Sequence, residues 1–322
     1  MALSQLITAL QSSLSILNKR DIQTAAHTLG QYVQGAGAPI RLGDDCAAIA
    51  DGDGYLLLAA EGIWPKLVAQ DPWFAGWCSV MVNVSDVAAM GGVPIAVVDA
   101  LWSPSTAESE PVWAGMKAAA QAYGVPIVGG HTNCHSPYAG LAVSILGRAE
   151  RLITSFDAQP GDVLVMAVNM AGAYYKAYPF WNAATEADRG VLRSHTALLP
   201  KLAKSDIVSA GKAISMGGVA GTLLMLTEAS GCGAVLDLDK VPCPLDVTWE
   251  KWLTSFPSFG FLFSVPPTQV AAVQSVFNSE SLVCEVVGEI IADERVYLRA
   301  GEEKQQLWDL SDSLTGFGRG DR

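Results

Sequence analysis

The N-terminal residues carry apolar side chains at helical spacing. These recur every three or four residues, which places them on one face of a helix: Leu3, Leu6, Ile7, Leu10, Leu14 and Leu17. No basic segment precedes them, so we expect an amphipathic helix and not a signal peptide. After a polar turn at Asn18 to Asp21, a second helical stretch is predicted up to about Tyr32.

Strand and helix patterns alternate through the first half of the chain. The run 55–63 predicts a buried strand, and 71–90 predicts a helix that Asp71 opens, with Pro72 at its first position. Further elements are expected as strands at 94–102, 125–128 and 141–149 and a helix at about 109–123. This order predicts an α/β or α+β first domain.

The second half of the chain begins with a turn signal. The segment AQPGD precedes the apolar run 163–168, so we place a domain boundary within 151–160, giving domains 1–152 and 153–322. Strand and helix patterns alternate again in the second domain. Helices are expected at about 186–203 and 217–230, and strands at 234–238, 259–265, 283–290 and 295–299.

Composition narrows the class of protein. Hydrophobic residues make up 50% and charged residues 16% of the chain, so we expect a compact fold whose surface is partly covered by a second copy, as a homodimer. The net charge of −12 and the scattered basic residues disfavour nucleic-acid binding. No apolar run reaches the roughly 20 residues of a membrane span, and the dispersed cysteines without a CxxC pair fit a reducing cytoplasm.

Two acidic segments are candidates for binding a cation. Gly43 precedes the adjacent carboxylates Asp44 and Asp45, which repel each other unless a cation or separate partners compensate for their charge. Asp86 is the single charge between Asp71 and Asp99, and a buried carboxylate there requires a metal ion or hydrogen-bond donors. The alternatives are a solvated turn for the Asp pair and an exposed helix face for Asp86.

Two glycine segments are candidates for binding a ligand. Gly129, Gly130 and His131 follow the predicted strand PIV, in a loop where the backbone can approach a ligand closely. The segment Ser215 to Gly218 opens an apolar helix, whose unpaired N–H groups attract anions, although tight packing explains its glycines equally well.

A transition-metal set is a further alternative at the first glycine segment. Imidazole and thiolate groups occur together at His131, Cys134 and His135, and both suit a transition metal. The alternatives for these side chains are a structural histidine or a contact to phosphate.

In their order, these motifs resemble the superfamily of aminoimidazole ribonucleotide synthase, which includes thiamine-monophosphate kinase, selenophosphate synthase and a hydrogenase-maturation dehydratase. GDDCAAI is similar to the family's GDDAAV, VNVSDVAAMGGVP to the kinase's VNLSDLAAMGA.P, and VGGHTN stands at the place of GGDT or GGET. QPGDVLV, SMGGVAGTLLMLTEASGCGAVLDL, FGFLFSV and VGEI follow in family order. The resemblance covers nearly the whole chain and implies a PurM-like fold of two domains.

The resemblance also implies a set of site residues. Four carboxylates would hold magnesium: Asp44, Asp45, Glu61 and Asp86. Polar and glycine positions would contact ATP or the transferred group: Lys19, Gly43, Asn83, Gly129, Gly130, Ser215, Gly217 and Gly218. Asp45 and His131 would be catalytic, with His131 as a base for the acceptor. Relatives form dimers that join the sheets of their N-terminal domains, with ATP near the interface.

Departures from the family's motifs restrict the activity. The acidic SDG and EDY of thiamine-monophosphate kinase are replaced by Ser215-Met216-Gly217 and Pro257-Ser258-Phe259. The N-terminal cysteine of selenophosphate synthase and the C-terminal cysteine of the hydrogenase protein are missing, and His131 replaces an acid. We expect phosphoryl transfer from Mg-ATP to a small-molecule substrate, or ATP-driven activation of one. The alternative is a nucleotide-binding regulator or assembly partner with reduced catalysis.

Overall fold

The computed structural model describes residues 2–35 and 38–318, and the chain divides into two compact units. The described residues within Met1–Asp45, Ile153–Ala183 and Ser205–Arg322 form the large unit, and Cys46–Leu152 and Ala184–Lys204 form the small unit. The chain thus passes from one unit to the other four times, because its N-terminal residues belong with the C-terminal half and Ala184–Lys204 returns to the small unit. The turn signal near residue 152 marks one of these passages, and the division into domains 1–152 and 153–322 stays a prediction.

The helices have the following bounds: α1 Leu3–Gln11, α2 Leu14–Leu17, α3 Ile22–Leu29, α4 Pro65–Gln70, α5 Pro72–Ala89, α6 Thr106–Tyr123, α7 Arg189–Ser205, α8 Gly218–Ser230, α9 Trp249–Leu253 and α10 Val270–Asn278. Short 3-10 turns cover Asn18–Asp21 and Pro267–Gln269. Within the described ranges, no helix combines the length and the apolar character that crossing a membrane requires.

The strands have the following bounds: β1 Tyr32–Gln34, β2 Pro39–Arg41, β3 Ala47–Asp51, β4 Gly54–Ile63, β5 Val93–Trp102, β6 Ile127–Asn133, β7 Gly140–Ala149, β8 Val163–Val168, β9 Ala173–Tyr174, β10 Phe180–Asn182, β11 Ala210–Ala213, β12 Gly233–Asp237, β13 Phe256–Pro257, β14 Gly260–Val265, β15 Val283–Ile291, β16 Arg295–Ala300 and β17 Glu303–Asp309. Helices and strands both contribute substantially, which confirms the predicted α/β (α+β) class.

The small unit is built on a five-stranded sheet in the order β3-β4-β7-β5-β6. All neighbouring pairs are antiparallel except β5 and β6, which run parallel. Helix α5 packs on β4 and β7 and against α6. Alternate strand residues such as Leu57, Val97, Val143 and Ile145 face this helical layer and are buried.

The large unit is built on a seven-stranded sheet in the order β11-β14-β8-β15-β12-β16-β17. Helix α8 is buried along its whole length, which fits its largely apolar sequence, and the polar Thr222, Thr227 and Glu228 are buried with it. It shares one core with α1, whose Leu3, Leu6, Ile7 and Leu10 are buried, so the first part of the predicted amphipathic helix is confirmed. The expectation was wrong for its end, because α1 ends at Gln11 and Leu14, in the separate α2, is 72% exposed.

Two predictions about local structure were wrong. The second helical stretch was expected to reach Tyr32, but α3 ends at Leu29 because Gly30 adopts a φ of 77°, and Tyr32 begins β1. The expected ligand loop at Gly129 to His131 belongs to β6, which pairs with β5 at the edge of the sheet. Its glycines therefore lie in an edge strand.

Candidate functional site

Asp44 is enclosed by hydrogen-bond donors of the large unit. Its Oδ1 accepts hydrogen bonds from the Ser155 hydroxyl at 2.8 Å and from the Asp45 backbone N–H at 2.9 Å, and its Oδ2 accepts one from the Ser155 N–H at 3.0 Å. The side chain is 1% exposed. Burial raises the pKa of Asp44, while the nearby Lys212 ammonium acts in the opposite direction.

Asp45 has different partners from Asp44. Its Oδ1 accepts a hydrogen bond from the Lys212 ammonium at 2.7 Å, and its Oδ2 accepts one from the Ala213 N–H at 2.9 Å. The two neighbouring carboxylates thus have separate hydrogen-bond donors, one of the compensations that the sequence left open, while the Lys212 ammonium also lies 3.9 Å from Oδ1 of Asp44. Sequence reasoning missed Lys212 and Ser155, because no local signal connects them to positions 44 and 45.

Gly43 gives the chain the conformation that positions this pair. Its φ of 102° is a value that residues with a β-carbon rarely adopt, and a β-carbon on it would lie 2.4 Å from Cβ of Phe317. The glycine is thus explained by backbone conformation and by close packing in the large unit.

The glycine-started helix α8 lies near Lys19. The Lys19 ammonium donates a hydrogen bond to the Ser215 hydroxyl at 3.4 Å. Gly217 and Gly218 have positive φ, and a β-carbon on Gly218 would lie 2.4 Å from the Leu253 carbonyl oxygen. Tight packing, the alternative considered from the sequence, therefore explains Gly218, while Lys19 and Ser215 remain a pair of donors beside the helix start.

The small unit contains the remaining predicted magnesium ligands. Glu61 lies exposed on β4, in register with Val143 on β7. Asp86 lies half-buried on α5. Asn83 is fully buried, and its amide donates to the carbonyl oxygens of Ser79 at 2.8 Å and Val143 at 3.1 Å. Asn83 thus fastens α5 to the central strand of the sheet.

Asp99 is a functional candidate that sequence reasoning did not select. It lies on β5, is 6% exposed, and neither of its carboxylate oxygens has a hydrogen-bond partner in residues 2–35 and 38–318. Burial raises the pKa of Asp99, and the positive charge that His131 can carry opposes this rise. The signal that could have found it is one acid within the apolar run VPIAVVDALW.

The strand β6 presents the predicted histidine and glycines. His131 is exposed, Gly129 has open space around the position of a β-carbon, and Gly130 is in register with Asp99. The Cys134 thiol donates a hydrogen bond to the Ser109 hydroxyl at 3.7 Å, and the His135 N–H donates one to the Asn133 side chain at 2.9 Å.

The acidic side chains of the described residues fit magnesium in kind but do not form a preassembled metal site. In the described part of the chain, no group of three or more His, Cys, Asp or Glu side chains is arranged to hold a metal ion. The carboxylate pair Asp44 and Asp45 offers hard oxygen donors, which fit magnesium in kind. Asp45 Oδ1 already binds an ammonium, however, so an ion at this pair has to displace or share that contact.

Comparison with known proteins identifies the family. Residues 43–149 match the family model "AIR synthase related protein, N-terminal domain", and residues 159–301 match "AIR synthase related protein, C-terminal domain". The first matched segment begins at Gly43, directly before the acidic pair, and each matched segment includes one of the two glycine segments. The chain belongs to the AIR synthase related protein family.

Individual relatives extend this result. An uncharacterized protein of Synechocystis sp. is 55% identical over 98% of both chains. Thiamine-monophosphate kinase of Pyrococcus horikoshii is 27% identical, over 83% of this chain and 88% of its own. Among solved structures, Thermotoga maritima PurL complexed with ATP matches with a TM-score of 0.72 at 18% identity, covering 92% of this chain and 54% of that chain, so this chain spans about half of PurL. AaThiL complexed with AMPPCP and TMP matches with a TM-score of 0.65 at 20% identity, over 89% of this chain and 96% of that one. These structures confirm the PurM-like fold.

Proposed function

We propose that the protein transfers a phosphoryl group from ATP to a small-molecule substrate, or uses ATP to activate one, with magnesium. Family membership supports this proposal, as do a kinase among the relatives and solved structures of similar fold that hold ATP or AMPPCP. The observation in this chain that carries it is the acidic pair Asp44–Asp45, which lies at the start of the first matched segment and is held by the Ser155 and Ala213 N–H groups.

The proposed roles follow from the chemistry of the side chains. Magnesium, with the carboxylates Asp44, Asp45, Glu61 and Asp86 as its proposed ligands, would neutralise phosphate charge. Lys19 and the Ser215 hydroxyl would donate hydrogen bonds to phosphate oxygens.

In the small unit, Gly129 leaves room for a ligand to approach the backbone of β6. The exposed His131 on the same strand would accept the proton of the substrate's hydroxyl group. Gly43, Asn83, Gly130, Gly217 and Gly218 would support these groups by fixing the backbone beside them.

We also propose that the protein is a homodimer. One face of the five-stranded sheet carries apolar side chains with substantial exposure, including Leu58 at 48%, Val98 at 42% and Leu146 at 37%. Leu58 and Leu146 are register partners on β4 and β7, so they form one continuous apolar patch. A second copy of the same face would cover it with matching chemistry, which supports a symmetric pair.

The free cysteines of the described residues support a reducing cytoplasm as the compartment of the protein.

A regulator that binds nucleotide with reduced catalysis is the second candidate. It is favoured by the Lys212 ammonium on Asp45, because this contact compensates the acidic pair without a metal ion. The absence of acids at Ser215-Met216-Gly217, where a kinase relative carries SDG, points in the same direction.

Calorimetry and turnover measurements test the proposal. Mg-ATP should bind to the wild-type protein and to Asp53→Asn, a control at a fully exposed acid, and Asp45→Asn should abolish binding. Small amides, alcohols and phosphorylated metabolites are then screened for release of ADP. Nucleotide binding without ADP release would favour the regulator, and no heat from Mg-ATP would contradict both candidates.

A further inference from the structure

The ammonium of Lys212 occupies the acidic pair. Lys212 lies on β11, where its neighbours are Gly211 and Ala213, and its side chain is 6% exposed. Its Nζ is 2.7 Å from Oδ1 of Asp45 and 3.9 Å from Oδ1 of Asp44. A lysine at so buried a position has to be matched by negative charge, and these two carboxylates provide it.

The charges at this place decide how a further cation can bind. The Lys212 ammonium already compensates negative charge at this pair, because it lies within ion-pair distance of both carboxylates. A divalent ion bound to the same oxygens would be repelled by the ammonium at short range, where screening by water is weak. Added negative charge, such as that of a triphosphate, would relieve this repulsion.

We propose that Lys212 is a resident cation of the Asp44–Asp45 pair, which competes with divalent ions for Asp45 Oδ1. The inference rests on the proposed function and adds a condition under which the divalent ion binds. A divalent ion alone binds the pair weakly, and it binds well only together with the phosphates of a nucleotide. Lys212 also holds the two carboxylates in place when no ion is bound.

Titration with MnCl2 in the absence of nucleotide tests the proposal. Bound manganese is measured from the loss of the electron paramagnetic resonance signal of the free ion. Lys212→Met should bind Mn2+ at least about tenfold more tightly than wild type, because one repelling charge is removed. Adding Asp45→Asn to Lys212→Met should remove this gain. Lys204→Met is the matched control, since Lys204 forms an exposed ion pair with Glu150 and should leave Mn2+ affinity unchanged.

Equal Mn2+ affinity in wild type and Lys212→Met, with both folded by circular dichroism, would overturn the proposal. Lys212→Gln is the second variant, because its amide keeps a hydrogen bond to Asp45 without the charge. The wild type alone gives an independent test: tight Mn2+ binding without nucleotide that is lost in Asp45→Asn would also overturn it. Failure of Mg-ATP to bind, in contrast, contradicts the proposed function and is measured separately.

Discussion

A β-carbon on Gly130 would lie 2.0 Å from Oδ1 of Asp99, so the buried carboxylate lies directly against the backbone of the neighbouring strand. The two residues are register partners on β5 and β6. Glycine at position 130 is therefore required by Asp99 itself, through both its carboxylate and its backbone carbonyl oxygen. The adjacent Gly129 has no atom within 4 Å of its β-carbon position, which makes the two glycines a natural pair for comparison.

Gly130→Ala is expected to destabilise the protein by about 2 kcal/mol, because the new methyl group forces the carboxylate or the strand to move. Urea denaturation measures the change in the free energy of unfolding. Gly129→Ala is the control and should change it by less than about 0.5 kcal/mol. Replacing Asp99 by Ser should relieve part of the loss in a double-mutant cycle, and the part caused by the Asp99 carbonyl oxygen, 2.6 Å from the β-carbon position, should remain. Equal effects of the two glycine substitutions would contradict the contact.

Asp99→Asn is expected to raise stability at neutral pH. Because burial raises the pKa of Asp99, the folded state holds a proton that the unfolded state has already lost. The wild type therefore loses stability as the pH rises from about 4 through the folded-state pKa, and the neutral amide avoids this loss. Urea denaturation from about pH 5 to about pH 8 should show the advantage of the variant growing with pH. A difference that does not change with pH would show that the Asp99 carboxyl is not perturbed.

Glu228 on α8 holds the segment that follows β17. The carboxylate is 5% exposed and accepts hydrogen bonds from five donors: the Ser313 hydroxyl, the N–H groups of Leu314, Thr315 and Gly316, and the Thr315 hydroxyl. Glu228→Gln would turn an NH2 group toward these donors. We expect a loss of roughly 2–4 kcal/mol in the free energy of unfolding.

Limited proteolysis reports on the same change. The segment at 313–316 should become accessible to protease in Glu228→Gln, with the loss of a C-terminal fragment seen by mass spectrometry. Glu285→Gln, at an exposed position of β15, is the control and should behave as wild type. Unchanged cleavage and unchanged stability in Glu228→Gln would mean that the segment is held by other contacts.

The sequence predicted the fold well for elements whose limits are marked by residues within or beside the element. Helix α5 was expected at 71–90 and is found at Pro72–Ala89, because Asp71, Pro72 and the following glycines mark its ends. The run 55–63 became β4 with one added residue. Contacts between distant segments could not be predicted in this way, since Lys212 reaches Asp45 across 167 positions. The pair Gly129-Gly130 suggested a loop, since glycines are typical of loops. The contact of Gly130 with Asp99, which explains one of these glycines, leaves no local signal in the sequence.

The apolar sheet face of the small unit leads to a prediction about the oligomeric state. If it joins two copies, light scattering coupled to size exclusion should give wild-type protein the mass of two 33.9 kDa chains. Leu58→Glu combined with Leu146→Glu should give the mass of one chain, because both charges would be buried at the interface without partners. Val191→Glu changes a comparably exposed apolar residue on α7 and should leave the mass unchanged. A dimer that survives the double substitution would show that another surface joins the copies.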